Sequence, residues 1–318
     1  RQPIRERKQT MVHRIQKKIS YMDLRQIADS GQSFRMAKLQ DRRFSVISGE
    51  HYLEIVQGPG EDHAAERSFT FCCDEEELHF WEHYFDLEHD YGVYINSVRK
   101  RDSYLSQAAR AGSGIRILNQ DPWEMVITFV ISQQKTIPKI REAVEALSRN
   151  YGTRHETVVN DDEGEHTVVW YSFPTPAQLS AASETELREL KLGYRAKYIF
   201  RLCQDAVEGR LDLELLQRLS YGEAMTYLGS FYGIGTKVAN CICLFGLHHI
   251  EAFPVDTWIE QILMAEYYRK RKKKYDSLPK SKLYQEMIAD HFGMYKGYAG
   301  VMQQYIFYYE RVRRGKVR

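Results

Sequence analysis

Two side chains in this sequence have the type and spacing for covalent chemistry at an electrophilic carbon. Lys237 stands in FYGIGTKVA, just past a pair of glycines, and Asp256 stands in FPVDTW, nineteen positions further on (256 minus 237). A lysine amine is a nucleophile, and the first turn of a helix, where the macrodipole disfavours a cation, suits it to that work. An aspartate at a helix N-cap accepts amide hydrogen bonds, which is expected to keep it ionised at neutral pH. Cys241 follows Lys237 by four residues, on the same helical face, and Phe245 lies one turn beyond.

The elements that must hold these groups lie in residues 221–264, which read as helix, Gly-rich turn, helix, short loop and capped helix. Gly233 and Gly235, one residue apart, let the backbone turn sharply with positive φ and leave its amides free to face an anion. Val238, Cys241, Ile242 and Phe245 recur at i, i+3, i+4 and i+7, the spacing of an amphipathic helix beginning at residues 235–237. A phosphate suits that N-terminus. Asp256 then caps a helix whose apolar stripe is Ile259, Ile262 and Leu263. Taken singly, each feature also fits a plainer role: a loop, a solvated lysine, a cap.

Composition allows this chemistry without demanding it. The 318 residues are enough for about two domains, and 43% hydrophobic content with 13% aromatic is that of a globular protein. A net charge of +2 permits a nucleic-acid partner, since a basic face matters more than the sum. Five cysteines without framework spacing, no signal peptide and no apolar run long enough to span a bilayer point to a reduced, cytoplasmic protein with no membrane partner. No metal and no cofactor is expected; His248-His249 has no partner at ligand spacing and reads as a surface pair in a loop.

The fold class expected is α+β: an N-terminal antiparallel sheet domain over residues 11–115, then a mostly helical domain over 116–318. Strands are predicted at 33–39, 43–48, 51–57 and 67–72, and a helix at 75–84. Residues 1–10, ahead of Met11, read as a polar arm or as translation from an upstream start. Asp121 and Pro122 start a buried helix, SQQKTIPK (132–139) is a polar break before an amphipathic helix at 140–150, and NDDEGEH (160–166) is the turn of a surface hairpin. The run RKRKKK (269–274) reads equally as a DNA-attracting patch or a solvated loop. A final helix at about 300–313 puts Gln303 and Phe307 on one face.

GIGTKVA followed by PVD resembles the signature of the helix-hairpin-helix DNA glycosylases, in the Lys-plus-Asp form of their bifunctional members. Three further motifs, GQSFR at 31–35, QDP at 120–122 and GYRAKY at 193–198, resemble those of the 8-oxoguanine DNA glycosylase family in the same order. No cysteine follows Cys243, unlike the endonuclease III and adenine-glycosylase relatives with their four-cysteine iron–sulfur loop. The resemblance implies a glycosylase and lyase that flips 8-oxoguanine out of duplex DNA. Lys237 would be the nucleophile and Schiff-base residue, and Asp256 would stabilise the sugar cation. By the same resemblance Gly31, Cys241, Pro254, Gln303 and Phe307 bind the flipped base, with the Gly31 carbonyl accepting from the N7–H that guanine lacks. Gly233, Gly235, Val238 and Trp258 meet phosphate, while Gln134, Lys139, Tyr194 and Arg195 face the orphaned base.

Tyr232, Trp258, Gln134 and Lys139 depart from the eukaryotic pattern of proline, histidine, asparagine and arginine, which resembles bacterial members and puts opposite-base selectivity in question. A monomer on damaged duplex DNA, associated with the nucleoid, is the expected state. Two alternatives stay open: a relative acting on another damaged base, and a non-catalytic DNA-binding module.

Overall fold

The computed structural model describes residues 13–60, 66–161 and 164–317, so the arm expected over residues 1–10 lies outside the described residues. Five antiparallel strands, β1 (His13–Ile19), β2 (Met36–Gln40), β3 (Arg43–Ser48), β4 (His51–Gln57) and β5 (Arg67–Cys73), form one sheet in the order β1-β5-β4-β3-β2. Side chains alternate across it. Leu53, Ile55, Phe69 and Phe71 face α1 (Leu24–Asp29) and α2 (Glu75–Tyr84) in one core. Tyr52 and Cys72 face the opposite way, where Val159 and Trp170 of a hairpin, β6 (Arg154–Asp161) and β7 (Gly164–Tyr171), cover them.

Strands β3, β4 and β5 match the predicted runs to within a residue, whereas β2 begins at Met36 instead of residue 33. Phe34 leaves the sheet to pack edge-on against Phe129, 6.0 Å between ring centres, in the helical core. Strand β1 has no counterpart in the sequence reading: its outward positions are charged or polar, and its pairing with β5 is a long-range contact.

The helical body contains α3 (Tyr91–Asn96), α4 (Ser103–Ala111), α5 (Pro122–Ile131), α6 (Ile137–Tyr151), α7 (Pro176–Leu179), α8 (Glu184–Leu187), α9 (Arg195–Val207), α10 (Leu213–Arg218), α11 (Tyr221–Gly229), α12 (Thr236–Gly246), α13 (Thr257–Ile262), α14 (Lys272–Asp276), α15 (Lys280–Phe292) and α16 (Ala299–Arg313). Helix α5 is its axis: Asp121 caps it, Pro122 opens it, and all ten residues are buried. Packing and chain order divide differently, since buried residues of α3 and α4 belong to the helical core although they precede residue 115.

Buried polar residues tie the two bodies together. The Arg116 guanidinium donates to the carbonyls of Ser20 (3.0 Å), Tyr21 (3.2 Å), Asp86 (2.7 Å) and His89 (3.1 Å). Gln32 donates to the Arg116 carbonyl and accepts from the Leu118 amide, both at 2.9 Å, which anchors the chain next to Gly31. His248 is part of this seam and not the surface residue expected, with Nε2 3.4 Å from Asp86 Oδ2.

Candidate active site

Lys237 occupies the first turn of α12, the helix that packs along α5. Phe245 stacks on Phe129, 5.4 Å between ring centres, and so fixes the two helices side by side. The Lys237 ammonium lies 5.6 Å from the centre of the same Phe129 ring and donates to Ser132 Oγ at 3.1 Å. Ser132 caps the C-terminus of α5, and its own hydroxyl proton goes to the Phe129 carbonyl at 2.7 Å. Having a single proton, the hydroxyl offers Lys237 only a lone pair, so it orients the amine by accepting from it. Cys241 lies buried beside Lys237; burial pushes its thiol up to about 11 and the lysine pulls it back, so the sulfur stays protonated at neutral pH.

The turn ahead of α12 uses its two glycines differently. Gly233 has φ +93°, and a Cβ there would lie 2.4 Å from the Tyr198 ring, so both backbone and packing require glycine. Gly235, expected to share the positive φ, has φ −89° and serves as the N-cap. Nothing lies within 4 Å of where its Cβ would be, and the first amides of α12, as at any helix start, have no partner within the helix. Gln133 braces the turn by donating to the Gly233 carbonyl at 3.1 Å. Val238 is buried behind it.

Asp256 caps α13, accepting from the Ile259 amide at 2.9 Å. Burial raises its carboxyl above the ordinary value, while the cap amides and Lys237 pull it back. The cap therefore works against burial, which is the larger influence on this carboxyl. Trp258, in the first turn of α13, is half-buried with the Arg314 guanidinium 5.1 Å over its ring.

Among the residues expected to bind a base, Gln303 meets Pro254 and Gly31 meets Phe307. Gln303, 3% exposed on α16, donates to the Pro254 carbonyl at 3.2 Å, two residues from Asp256, and accepts from Gln304 at 2.9 Å. One amide N–H and one carbonyl lone pair of Gln303 remain for a base edge. Gly31 has φ +80°, and a Cβ on it would meet the Phe307 ring at 3.2 Å. The residues expected on the other strand are arranged otherwise. Gln134 is exposed with φ +52°, Tyr194 is 41% exposed, and Lys139 is 60% exposed and bonds Glu142 at 2.9 Å. Arg195 is buried, its guanidinium on the carbonyls of Gln133 (2.7 Å) and Leu192 (3.3 Å) and against the Tyr194 ring; in the free protein it faces backbone and not an open base site.

Two family models match in tandem: 8-oxoguanine DNA glycosylase, N-terminal domain, over residues 14–126, and HhH-GPD superfamily base excision DNA repair protein, over residues 127–282. An 8-oxoguanine glycosylase/lyase of Clostridium acetobutylicum, solved with double-stranded DNA containing cytosine opposite 8-oxoG, superposes with a TM-score of 0.80 at 30% identity over 96% of this chain and 100% of that one. The chain belongs to the 8-oxoguanine DNA glycosylase family. Other relatives are the N-glycosylase/DNA lyases of Saccharomyces cerevisiae, 35% identical over 61% of this chain, and of Arabidopsis thaliana, 32% identical over 73%. The alignments span 56% and 63% of the length of these two relatives, less than two thirds.

The basic run at 269–274, which the sequence leaves open between a DNA-attracting patch and a solvated loop, brings four of its six cations into ion pairs. Lys270 pairs with Asp102 (3.6 Å), Arg271 with Asp290 (3.0 Å), Lys272 with Asp276 (2.5 Å), and Lys274 with Glu286 (3.0 Å) and Asp290 (2.8 Å). The sequence reading passed over Ser132 and Gln133, treating them as a polar break. The available signal was their place immediately after the buried α5, which forces a cap whose side chains point back at a neighbouring element.

Proposed function

We propose that the protein is a bifunctional DNA glycosylase and lyase that removes 8-oxoguanine from duplex DNA. The observation that carries this reading is the grouping of Lys237, held by Ser132 and flanked by Cys241 and Asp256, at the N-terminus of α12. The amides of Gly235 and its neighbours grip a backbone phosphate, and the damaged nucleotide leaves the stack to enter the cleft between α12, α16 and Gly31. The Lys237 amine, having lost a proton, attacks the anomeric carbon of the sugar. The N-glycosidic bond breaks, its electron pair leaves with the base, and a proton neutralises the departing nitrogen. Asp256, ionised, stabilises the positive charge on the sugar. The amine adduct opens to an imine, and loss of the proton on C2′ expels the 3′ phosphate by β-elimination.

Cys241 and Phe307 take the faces of the base, Gln303 and the Pro254 carbonyl its edge, and the Gly31 carbonyl its N7–H. Gln134, Lys139, Tyr194 and Arg195 face the strand opposite, and Gly233, Val238 and Trp258 complete the phosphate contacts. The protein acts as a monomer on DNA inside the cell, without metal or cofactor. Borohydride in the presence of duplex containing 8-oxoguanine is expected to trap a covalent complex, which Lys237→Gln abolishes while still binding the duplex. Trapping that persists in Lys237→Gln, or base release by wild type without trapping, would remove Lys237 from this role.

A further inference from the structure

Gly31 reaches the base pocket from the sheet body, at the end of a short segment that follows α1. Its φ of +80° and missing side chain leave its peptide planes few steric restraints of their own. A carbonyl that must tell an N–H from a lone pair has to stand within a few tenths of an ångström of its working position, because hydrogen bonds weaken steeply with distance and angle. The restraint therefore has to come from outside the segment, and two arginines from different helices supply it.

Arg311, one turn beyond Phe307 on α16, is buried and donates through Nη1 to the Asp29 carbonyl at 2.5 Å. Its guanidinium carbon lies 5.4 Å from the centre of the Phe307 ring, and Nη1 is 3.7 Å from where a Gly31 Cβ would stand. Arg141 on α6 donates through Nη2 to the Ala28 carbonyl at 2.9 Å. The Asp29 carboxyl is half-buried in the field of Arg25, Arg141 and Arg311. Ser30 closes the segment from within, donating to the Ile27 carbonyl and accepting from Gln32, at 2.8 and 2.9 Å.

We infer that Arg311, assisted by Arg141, is a specificity-determining positioning residue: it clamps residues 28–31 so that the Gly31 carbonyl is held for the lesion, and it backs the Phe307 ring that covers the base. This rests on the proposed reading of the site. The clamp joins two consecutive carbonyls ahead of Gly31 to the helices that carry the two strand-facing surfaces, α16 for the lesion and α6 for the opposite base. Arginine suits the position because its planar donors reach the Asp29 carbonyl while the same plane meets an aromatic ring, which an ammonium cannot do.

The clamp acts on base reading and not on the amine, so the two activities of one enzyme separate its effect. Arg311→Ala and Arg311→Lys, with Arg141→Ala, are compared with wild type in two single-turnover assays: release of 8-oxoguanine, and cleavage of a duplex carrying a base-free sugar, which requires Lys237 but no base recognition. Loss of a charged hydrogen bond predicts that Arg311→Ala slows 8-oxoguanine release about tenfold, with Arg311→Lys and Arg141→Ala between it and wild type. Cleavage at the base-free site should change less than about twofold by the same reasoning, and that activity reports that the variants are folded. Equal losses in both assays, or no loss in either, would overturn the clamp while leaving the proposed glycosylase intact. Wild type that cleaves base-free sites but never releases 8-oxoguanine would overturn both.

Discussion

The side of the cleft proposed to take the lesion and the side proposed to face the opposite strand are built on different principles. On the lesion side each group is buried or backed and already held: Lys237 by Ser132, Gln303 by Pro254 and Gln304, Asp256 by the Ile259 amide, Gly31 by the segment that Arg311 and Arg141 grip. On the opposite side Gln134 and Tyr194 are exposed, Lys139 is occupied by an acid on its own helix, and Arg195 is turned onto the Gln133 carbonyl. Pre-formed groups cost no reorganisation when the substrate arrives, whereas exposed or internally bonded ones must be ordered or released first. The contrast implies steep discrimination of the damaged base and shallow discrimination of its partner.

The strongest test of the pre-formed side is the charge of Asp256. Asparagine is as good an N-cap as aspartate, so Asp256→Asn keeps α13 started while removing the charge. Single-turnover base release should fall about a hundredfold, the scale of losing one electrostatic stabiliser of a transition state. The pH dependence carries the sign. Burial raises this carboxyl and its proposed role needs it ionised, so wild-type rate should decline as pH falls, with a midpoint above that of an ordinary aspartate. The asparagine variant should lack that limb, and a limb that survives in it would belong to another group.

Gln303→Ala comes next. It removes an edge contact from a buried site, which should lower kcat/KM for 8-oxoguanine by about 1–3 kcal/mol, while affinity for undamaged duplex stays near wild type. Because Gln303 also holds the Pro254 carbonyl, parallel losses in both measurements would make it a structural residue and weaken the contrast between the two sides.

How much of this was legible in the sequence follows the same division. The hairpin, the cap at Asp256 and the buried α5 were legible because local rules dictate them: glycines for a turn, aspartate before a helix, proline at its first position. Strand β1 was not, since its identity depends on pairing with distant residues, from His13 with Cys73 to Ile19 with Arg67. Arg311 and Arg141 were silent for a similar reason: in a helix with other charges, nothing local marks the one arginine that reaches a carbonyl of another domain. Arg195 is the opposite case. The motif put a guanidinium next to an aromatic, which is correct, yet its protein partner in the free state is a carbonyl whose position depends on the loop after α5.

The smallest effect bears on the opposite strand and is the one most able to break the comparison. A guanidinium forks onto cytosine through two parallel bonds, a geometry that an ammonium cannot reproduce, and in this chain the ammonium of Lys139 is further occupied by Glu142 across one turn of α6. Three of the five N–H donors of Arg195 are already committed to the carbonyls of Gln133 and Leu192. Single-turnover rates for 8-oxoguanine opposite adenine, guanine and thymine should therefore lie within about tenfold of the cytosine duplex, roughly 1.4 kcal/mol. Lys139→Arg should widen that spread in favour of cytosine. Glu142→Gln should instead free the ammonium for phosphate, tightening all four duplexes alike and steepening the salt dependence by about one unit of slope. The two substitutions pull apart what Lys139 does: a change in selectivity marks contact with the base, a uniform change in affinity marks contact with the backbone. Cytosine preferred by wild type beyond about a hundredfold, the scale of a good bidentate pair, would mean that Arg195 is released on binding and that the opposite-strand side is as well prepared as the lesion side.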